Sequence, residues 1–199
     1  MKHYYHPLSR AVTTDWMLQE MNIPHEQVLM DYTSGANDAP EFRAINPMGK
    51  IPVLVDGDVV VTEAAAICAY LADRFPEKGM APPIDSPLRG TYYRYLFFSG
   101  TSLETMFAVK QMGLEGYPAQ SAGWGDEARC LATVEDLTPE TGWALGEFST
   151  VDIVYGGTLD FCVQFGWMPD PSPKVRGYVE RIKARPAYRT SHDESWHTL

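Results

Sequence analysis

The sequence predicts a small α/β domain with a mixed sheet, followed by an all-α domain. Segments with the length and composition of strands occur only before residue 62. A stretch rich in proline and glycine, residues 79–87, then marks a domain boundary, and only helical patterns follow it. We therefore expect a first domain at residues 1–78, a linker at 79–86 and a helical domain at 87–199.

The α/β domain is predicted from the order of its local patterns. The clearest pattern is a pair of β-branched runs around Asp56-Gly57, a sequence typical of hairpin turns. The predicted elements are strands at 2–5 and 26–30, a hairpin at 51–61, and helices at 10–21 and 63–75. A parallel strand pair joined by a helix, next to an antiparallel hairpin, gives a small mixed sheet.

The helical domain is predicted to contain helices at 88–112, 126–137, 150–165 and 174–185. The first of them is apolar nearly all round at its centre, so it must bury more than one face. One face is expected to meet its own domain, and another to meet a substrate pocket, a partner subunit or both. Ser149 and Asp152 have the spacing of a capping-box variant, which indicates a structural role.

Composition and charge exclude several classes of partner. The 26 acidic and 16 basic residues give a net charge of −10, which disfavours nucleic acid as a partner. No apolar stretch reaches about 18 residues, so no membrane span is expected. Cys68, Cys130 and Cys162 lie in apolar helical contexts, which predicts buried cysteines in a reducing cytoplasm. The five histidines show no metal-ligand spacing, and no metal is expected.

Five segments carry a resemblance to one family. Residues 46–54, Asn-Pro-Met-Gly-Lys-Ile-Pro-Val-Leu, resemble the stretch that leads to the cis-proline of the cytosolic glutathione S-transferases. The other four are residues 5–10 at the first strand-to-helix turn, 62–71 at a helix start, 146–153 at a helix cap, and 179–188 near the C-terminus. These five segments occur in the same order as in the family and cover almost the whole chain. The chain is therefore identified as a member of this family.

This resemblance implies a thioredoxin-like first domain and the two-domain architecture of the family. It also implies a cytoplasmic homodimer with glutathione as cosubstrate. The activity implied is that of a detoxification transferase, which joins glutathione to a hydrophobic electrophile or reduces a peroxide. A non-catalytic binding or regulatory protein with the same fold is the alternative, because the family contains members that lost the activity.

The resemblance gives two candidates for the residue that holds the glutathione thiolate. A thiol has a pKa near 8.5, so a hydroxyl donor is needed to keep it ionised at neutral pH. Ser9 resembles the serine of serine-type members, although a plain helix cap is the other interpretation of this residue. Tyr5 lies where tyrosine-type members carry their tyrosine, and packing within the strand is its other interpretation.

Further glutathione contacts are implied by the same resemblance. A cis peptide bond before Pro52 would turn the backbone of Ile51 toward the tripeptide. Glu63 and Ala64 open the helix that receives the γ-glutamyl carboxylate, but family members carry a serine where this chain has Ala64. The other interpretation of Glu63 is a charge that suits the positive end of the helix. Lys50 has two interpretations, a contact with the glycyl carboxylate or a solvated side chain. Arg10, beside Ser9, completes the expected set.

The hydrophobic substrate site is expected against the aromatic helix that begins near residue 88. Tyr92, Tyr95 and Phe107 are its candidate residues. Trp196, near the C-terminus, is a further candidate to cover this site, with core or interface packing as the alternative.

Overall fold

The computed structural model describes residues 1–31, 33–116 and 118–192. The chain divides into two compact units. The first combines residues 1–78 with the C-terminal segment that begins at Arg185, and the second spans residues 79–184. The first stretch ends at the predicted boundary. The C-terminal segment differs from the prediction, which placed everything after residue 86 in the helical domain.

A four-stranded sheet with strand order β2-β1-β3-β4 forms the centre of the first unit. Its strands are β1 (Lys2–Tyr5), β2 (Glu26–Leu29), β3 (Val53–Asp56) and β4 (Val59–Thr62). β1 and β2 are parallel, while β3 is antiparallel to both β1 and β4. The predicted mixed sheet and its hairpin are therefore confirmed. Gly57, in the hairpin turn, has a φ of +59°, which glycine adopts without a steric penalty.

The α-helices described in the first unit are α1 (Ala11–Met21), α2 (Pro40–Ile45), α3 (Ala64–Arg74) and, at the C-terminal end, α9 (Pro186–Ser191). The sequence predicted α1 and α3 but left α2 and α9 unassigned. The ring of Trp16 in α1 meets Tyr188 in α9 edge to face, with 5.2 Å between the ring centroids. The guanidinium of Arg185 also bonds to the carboxylate of Glu20 in α1. These contacts explain why the C-terminal segment belongs to this unit.

The second unit is helical, as predicted. Its helices are α4 (Leu88–Phe97), α5 (Glu104–Gln111), α6 (Glu127–Leu137), α7 (Gly157–Gln164) and α8 (Pro173–Lys183). A π-helical segment, Phe98–Leu103, joins α4 to α5, so the predicted helix over 88–112 is continuous but widened in its middle. A second π-helical segment, Asp152–Gly156, leads into α7 in the same way.

The three cysteines are buried, as the sequence predicts. Complete burial raises the pKa of the Cys68 thiol, which disfavours the reactive thiolate. Among the residues that the structure describes, no helix has the length and apolar character needed to cross a membrane.

Candidate functional site

The elements that carry the candidate glutathione residues meet at one end of the sheet. Tyr4 of β1 pairs with Val53 of β3, and Val53 in turn pairs with Thr62 of β4. The chain therefore leaves β1 and β4, and enters β3, at the same end. The helices α1 and α3 both begin there, because each follows one of the strands that end at this edge. Backbone N–H groups at helix N-termini favour bound anions.

Ser9 lies in the turn between β1 and α1. Its hydroxyl donates a hydrogen bond to the backbone carbonyl of His6 at 2.7 Å and accepts one from the backbone N–H of Ala11 at 3.1 Å. The second bond satisfies the backbone N–H of the first residue of α1, although the N-cap position itself is Arg10 and has no side-chain capping bond. The first bond directs the single hydroxyl proton of Ser9 to an uncharged acceptor, the carbonyl of His6. A thiolate is a stronger acceptor than a carbonyl, so a bound thiolate could take over this proton.

Tyr5 lies at the end of β1 and is 1% exposed. Its side chain belongs to a packed cluster that includes Ala11, Ile51 and Val53. Burial, with a smaller contribution from the carboxylate of Asp15, raises the pKa of Tyr5 to about 12. These surroundings favour the packing interpretation over a role in holding the thiolate.

The peptide bond between Ile51 and Pro52 is cis, as the resemblance predicts. The residues before this peptide bond form a turn that the side chain of Asn46 stabilises through two hydrogen bonds. The side-chain amide of Asn46 donates to the carbonyl of Lys50 at 2.7 Å, and its oxygen accepts from the backbone N–H of Met48 at 3.1 Å. Both bonds stay inside the motif at residues 46–54, so a single buried side chain fixes the approach to β3.

The backbone conformation and surroundings of position 49 explain why this motif contains a glycine. Its φ is +61°, and a Cβ added there would lie 2.7 Å from the carbonyl oxygen of Asn37 and 2.8 Å from the guanidinium carbon of Arg43. The same guanidinium bonds to the carbonyl of Pro47 and, at 2.6 Å, to the carboxylate of Asp38. Sequence reasoning identified the motif by resemblance but missed Arg43, the side chain that ties α2 to this turn.

Glu63 stands immediately before α3 with the unusual backbone angles φ +68° and ψ +122°. Outside glycine, positive φ is uncommon and strained, and such strain is concentrated at ligand sites. The carbonyl of Glu63 accepts the first bond of the helix, from Ile67 at 2.9 Å. Ala64 follows as the first residue of α3, half-buried, and no side chain caps this helix. The alanine therefore supplies no hydroxyl at the place where the family carries one.

Lys50 and Arg10 differ in exposure. The side chain of Lys50 is exposed, as both of its interpretations allow. Arg10 is half-buried at the position just before α1. Trp196 lies outside the described residues.

Tyr92, Tyr95 and Phe107 are core residues of the second unit, with exposures of 0%, 5% and 1%. The hydroxyl of Tyr95 donates to the carbonyl of Leu137 at 2.7 Å, and the ring of Phe107 packs against Trp167 at 5.9 Å between centroids. The contacts of Tyr95 and Phe107 therefore lie within the helical unit, and the role of all three residues beside a substrate stays a prediction. The all-round apolar pattern identified the helix but did not show which of its side chains are buried in the folded chain.

The fold defines a class of protein in which a thioredoxin-like domain with a four-stranded mixed sheet is combined with helical structure. The profile of the glutathione S-transferase N-terminal domain matches residues 1–73. Glutathione S-transferase Z2 of Arabidopsis thaliana is 40% identical over 184 residues, which span 86% of this chain and 81% of that protein. The chain belongs to the glutathione S-transferase family, which confirms the predicted family and enzyme class.

Solved structures resemble the chain over its full length. A glutathione transferase from Methylococcus capsulatus has a TM-score of 0.79 and 27% identity, with 100% of this chain and 99% of that one covered. A sphingomonad glutathione S-transferase complexed with glutathione has a TM-score of 0.77 and 25% identity, with both chains covered completely.

Proposed function

We propose that this protein is a glutathione transferase that binds glutathione where β1, β3 and β4 meet the N-termini of α1 and α3. The observation that carries the proposal is the register Tyr4–Val53–Thr62, because it gathers the Ser9 turn, the Ile51-Pro52 bend and the start of α3 at one edge of the sheet. The sphingomonad relative, solved with glutathione, supports the choice of ligand.

The thiol of glutathione is assigned to the Ser9 turn. Its pKa must fall by about two pH units from 8.5 for most of it to be ionised at neutral pH, which requires roughly 2.7 kcal/mol of differential stabilisation. A hydroxyl donor together with the N-terminus of α1 can supply stabilisation of that order. Arg10, on the same turn, adds a positive charge near the sulfur. The protein then brings thiolate and electrophile together and attack follows.

The two ends of the tripeptide are assigned to the other parts of the site. The γ-glutamyl carboxylate meets the N-terminus of α3, where the N–H groups that follow Glu63 bind anions without requiring a particular side chain. The backbone of Ile51 pairs with the peptide groups in the middle. Lys50, exposed beside it, reaches the glycyl carboxylate.

Replacing Ala64 by serine should tighten glutathione binding several-fold. The new hydroxyl adds one donor to the γ-glutamyl carboxylate, and one such hydrogen bond contributes about 1 kcal/mol. Calorimetric titration with glutathione measures the change. The matched control is Ala66→Ser, an exposed alanine in the same first turn of α3, which should leave the affinity unchanged. Equal effects of both substitutions would place the carboxylate elsewhere.

Retention on immobilised glutathione, followed by turnover of a generic aryl halide, tests the proposed function. Retention with turnover supports a transferase for hydrophobic electrophiles. Retention without turnover of either an aryl halide or an organic peroxide favours the second candidate, a non-catalytic binding or regulatory protein. The specific observation in favour of that candidate is Ala64, which lacks the serine hydroxyl of the family. Failure to bind glutathione at all would contradict the proposed site.

We also propose that the protein is a cytoplasmic homodimer. Three large apolar side chains of α4 remain exposed within the single chain: Leu88 at 46%, Tyr93 at 37% and Phe97 at 66%. Burial of apolar surface of this kind stabilises association. Sedimentation should therefore give the mass of two chains at micromolar concentration, and a stable monomer would contradict the dimer. The buried cysteines support a reducing compartment.

A further inference from the structure

Three side chains with metal-binding atoms meet behind the sheet, although they are far apart in the sequence. His3 comes from β1, Asp15 from α1, and His25 from the residue before β2. One ligand atom from each lies within 4.8 Å of the other two. The parallel pairing of β1 with β2, which sets His3 opposite Gln27, brings the two imidazole rings together with 5.9 Å between their centroids.

We propose that His3, Asp15 and His25 form a binding site for a divalent first-row metal ion, with zinc as the probe. Two imidazoles and one carboxylate are a donor set that zinc accepts, with a fourth position left for water. This proposal replaces the expectation, drawn from histidine spacing along the sequence, that the chain has no metal site. It does not depend on the proposed glutathione chemistry.

In a neutral ring of His3, the hydrogen bonds of the fold place the lone pair on Nδ1. The hydroxyl of Thr14 donates its only proton to the carbonyl of Ala11 at 2.9 Å, so the 2.7 Å contact between this hydroxyl and Nε2 of His3 requires Nε2 to donate. The lone pair of the ring is therefore on Nδ1. Among the described residues, this buried Nδ1 has no hydrogen-bond partner.

The other two residues have the supporting contacts that metal ligands require. Nδ1 of His25 lies 2.9 Å from the carbonyl of Ile23, a contact that fixes the proton on Nδ1 and leaves Nε2 for a metal. Nε2 lies 3.7 Å from the carboxylate of Asp15. That carboxylate accepts a hydrogen bond from the side-chain amide of Gln27 at 3.1 Å. Hydrogen-bonded imidazoles and carboxylates of this kind orient metal ligands and tune their basicity.

The three ligand atoms must move slightly closer together when a metal ion binds. Zinc–ligand bonds of about 2.0–2.2 Å in a tetrahedral site place donor atoms roughly 3.3–3.5 Å apart. The pair Asp15–His25 is close to this separation already. His25 lies in a connecting segment and is only half-buried, so its ring can move toward the buried His3 and Asp15. A protonated His25 paired with Asp15 is the alternative state, in which the pKa of His25 is raised by this carboxylate.

Calorimetric titration of the tag-free protein with Zn²⁺ alone, in buffer without glutathione, tests the proposal. We expect one ion per chain, and X-ray absorption of the complex should show two imidazole nitrogens at about 2.0–2.1 Å. His25→Gln changes the most exposed ligand and should weaken binding at least tenfold, as should Asp15→Asn. His6→Gln, the matched control, should leave the affinity unchanged.

Two results would overturn the proposal. One is the absence of saturable zinc binding by the natural sequence, which would leave the His25–Asp15 ion pair as the explanation of the cluster. The other is binding that His25→Gln and the control weaken equally, which would identify a different zinc site. If Asp15→Asn fails to fold, His25→Gln and the absorption spectrum still decide the outcome.

Discussion

Replacing Ser9 by alanine should raise the pKa of the thiol of bound glutathione by about 1.5 pH units, because a donor that contributes about 2 kcal/mol to the thiolate is lost. With the pKa raised from about 6.5 to about 8.0, the thiolate fraction at pH 7 falls about eightfold, and turnover should fall with it. Ultraviolet titration of the bound thiolate measures the pKa directly. Ser9→Thr keeps a hydroxyl on the turn and should recover part of the effect. Because threonine also caps helices, urea unfolding of Ser9→Ala separates the loss of a cap from the loss of the thiolate donor.

Tyr5→Phe is the matched control, since it removes the other hydroxyl and keeps the ring that packs in the core. Tyr5 is 1% exposed, so we expect the thiolate pKa in this variant to stay at the unsubstituted value. A raised pKa in Tyr5→Phe together with an unchanged one in Ser9→Ala would reverse the assignment. If neither variant changes the pKa of the bound thiol, backbone dipoles or Arg10 activate the thiol.

Features set by local sequence could be predicted before the structure. The hairpin around Asp56-Gly57 follows from two β-branched runs and a turn sequence, and the sheet confirms it. The cis bond before Pro52 also agrees with the prediction, but only the family resemblance indicated it. In both cases the information lies within a short, continuous segment of chain.

Features set by contacts between distant segments could not be predicted in this way. Residues near Arg185 join the first unit through Glu20, a partner that the sequence does not indicate. The cluster of His3, Asp15 and His25 depends on the register of β1 with β2. A search for ligand spacing along the chain overlooks such a site because strand pairing creates it. The strained backbone of Glu63 is equally hidden, since glutamate has no preference for positive φ.

Asp152 combines a locally predicted cap with contacts that only the fold supplies. Its carboxylate accepts from the backbone N–H of Ser149 at 2.9 Å, which is one of the two bonds of a capping box. The hydroxyl of Ser149 accepts from the backbone N–H of Val151 at 3.3 Å, one residue before the partner that a full capping box uses. The carboxylate of Asp152 also accepts hydrogen bonds from the backbone N–H of Ala144 at 2.9 Å and from the hydroxyl of Tyr178 at 2.6 Å. Asp152 is completely buried, and burial raises its pKa more than these hydrogen bonds lower it.

Asp152→Ala should therefore lower the free energy of unfolding by about 3–5 kcal/mol, because several buried donors lose their acceptor at once. Asp126→Ala is the matched control: Asp126 caps α6 through one bond, to the backbone N–H of Arg129 at 2.8 Å, so its loss should amount to about 1 kcal/mol. Urea unfolding of both variants measures the difference. Asp152→Asn should fall between them, since the amide keeps one acceptor oxygen and removes the buried charge. Equal losses in the two alanine variants would mean that Asp152 acts as an ordinary cap and that Ala144 and Tyr178 find other partners.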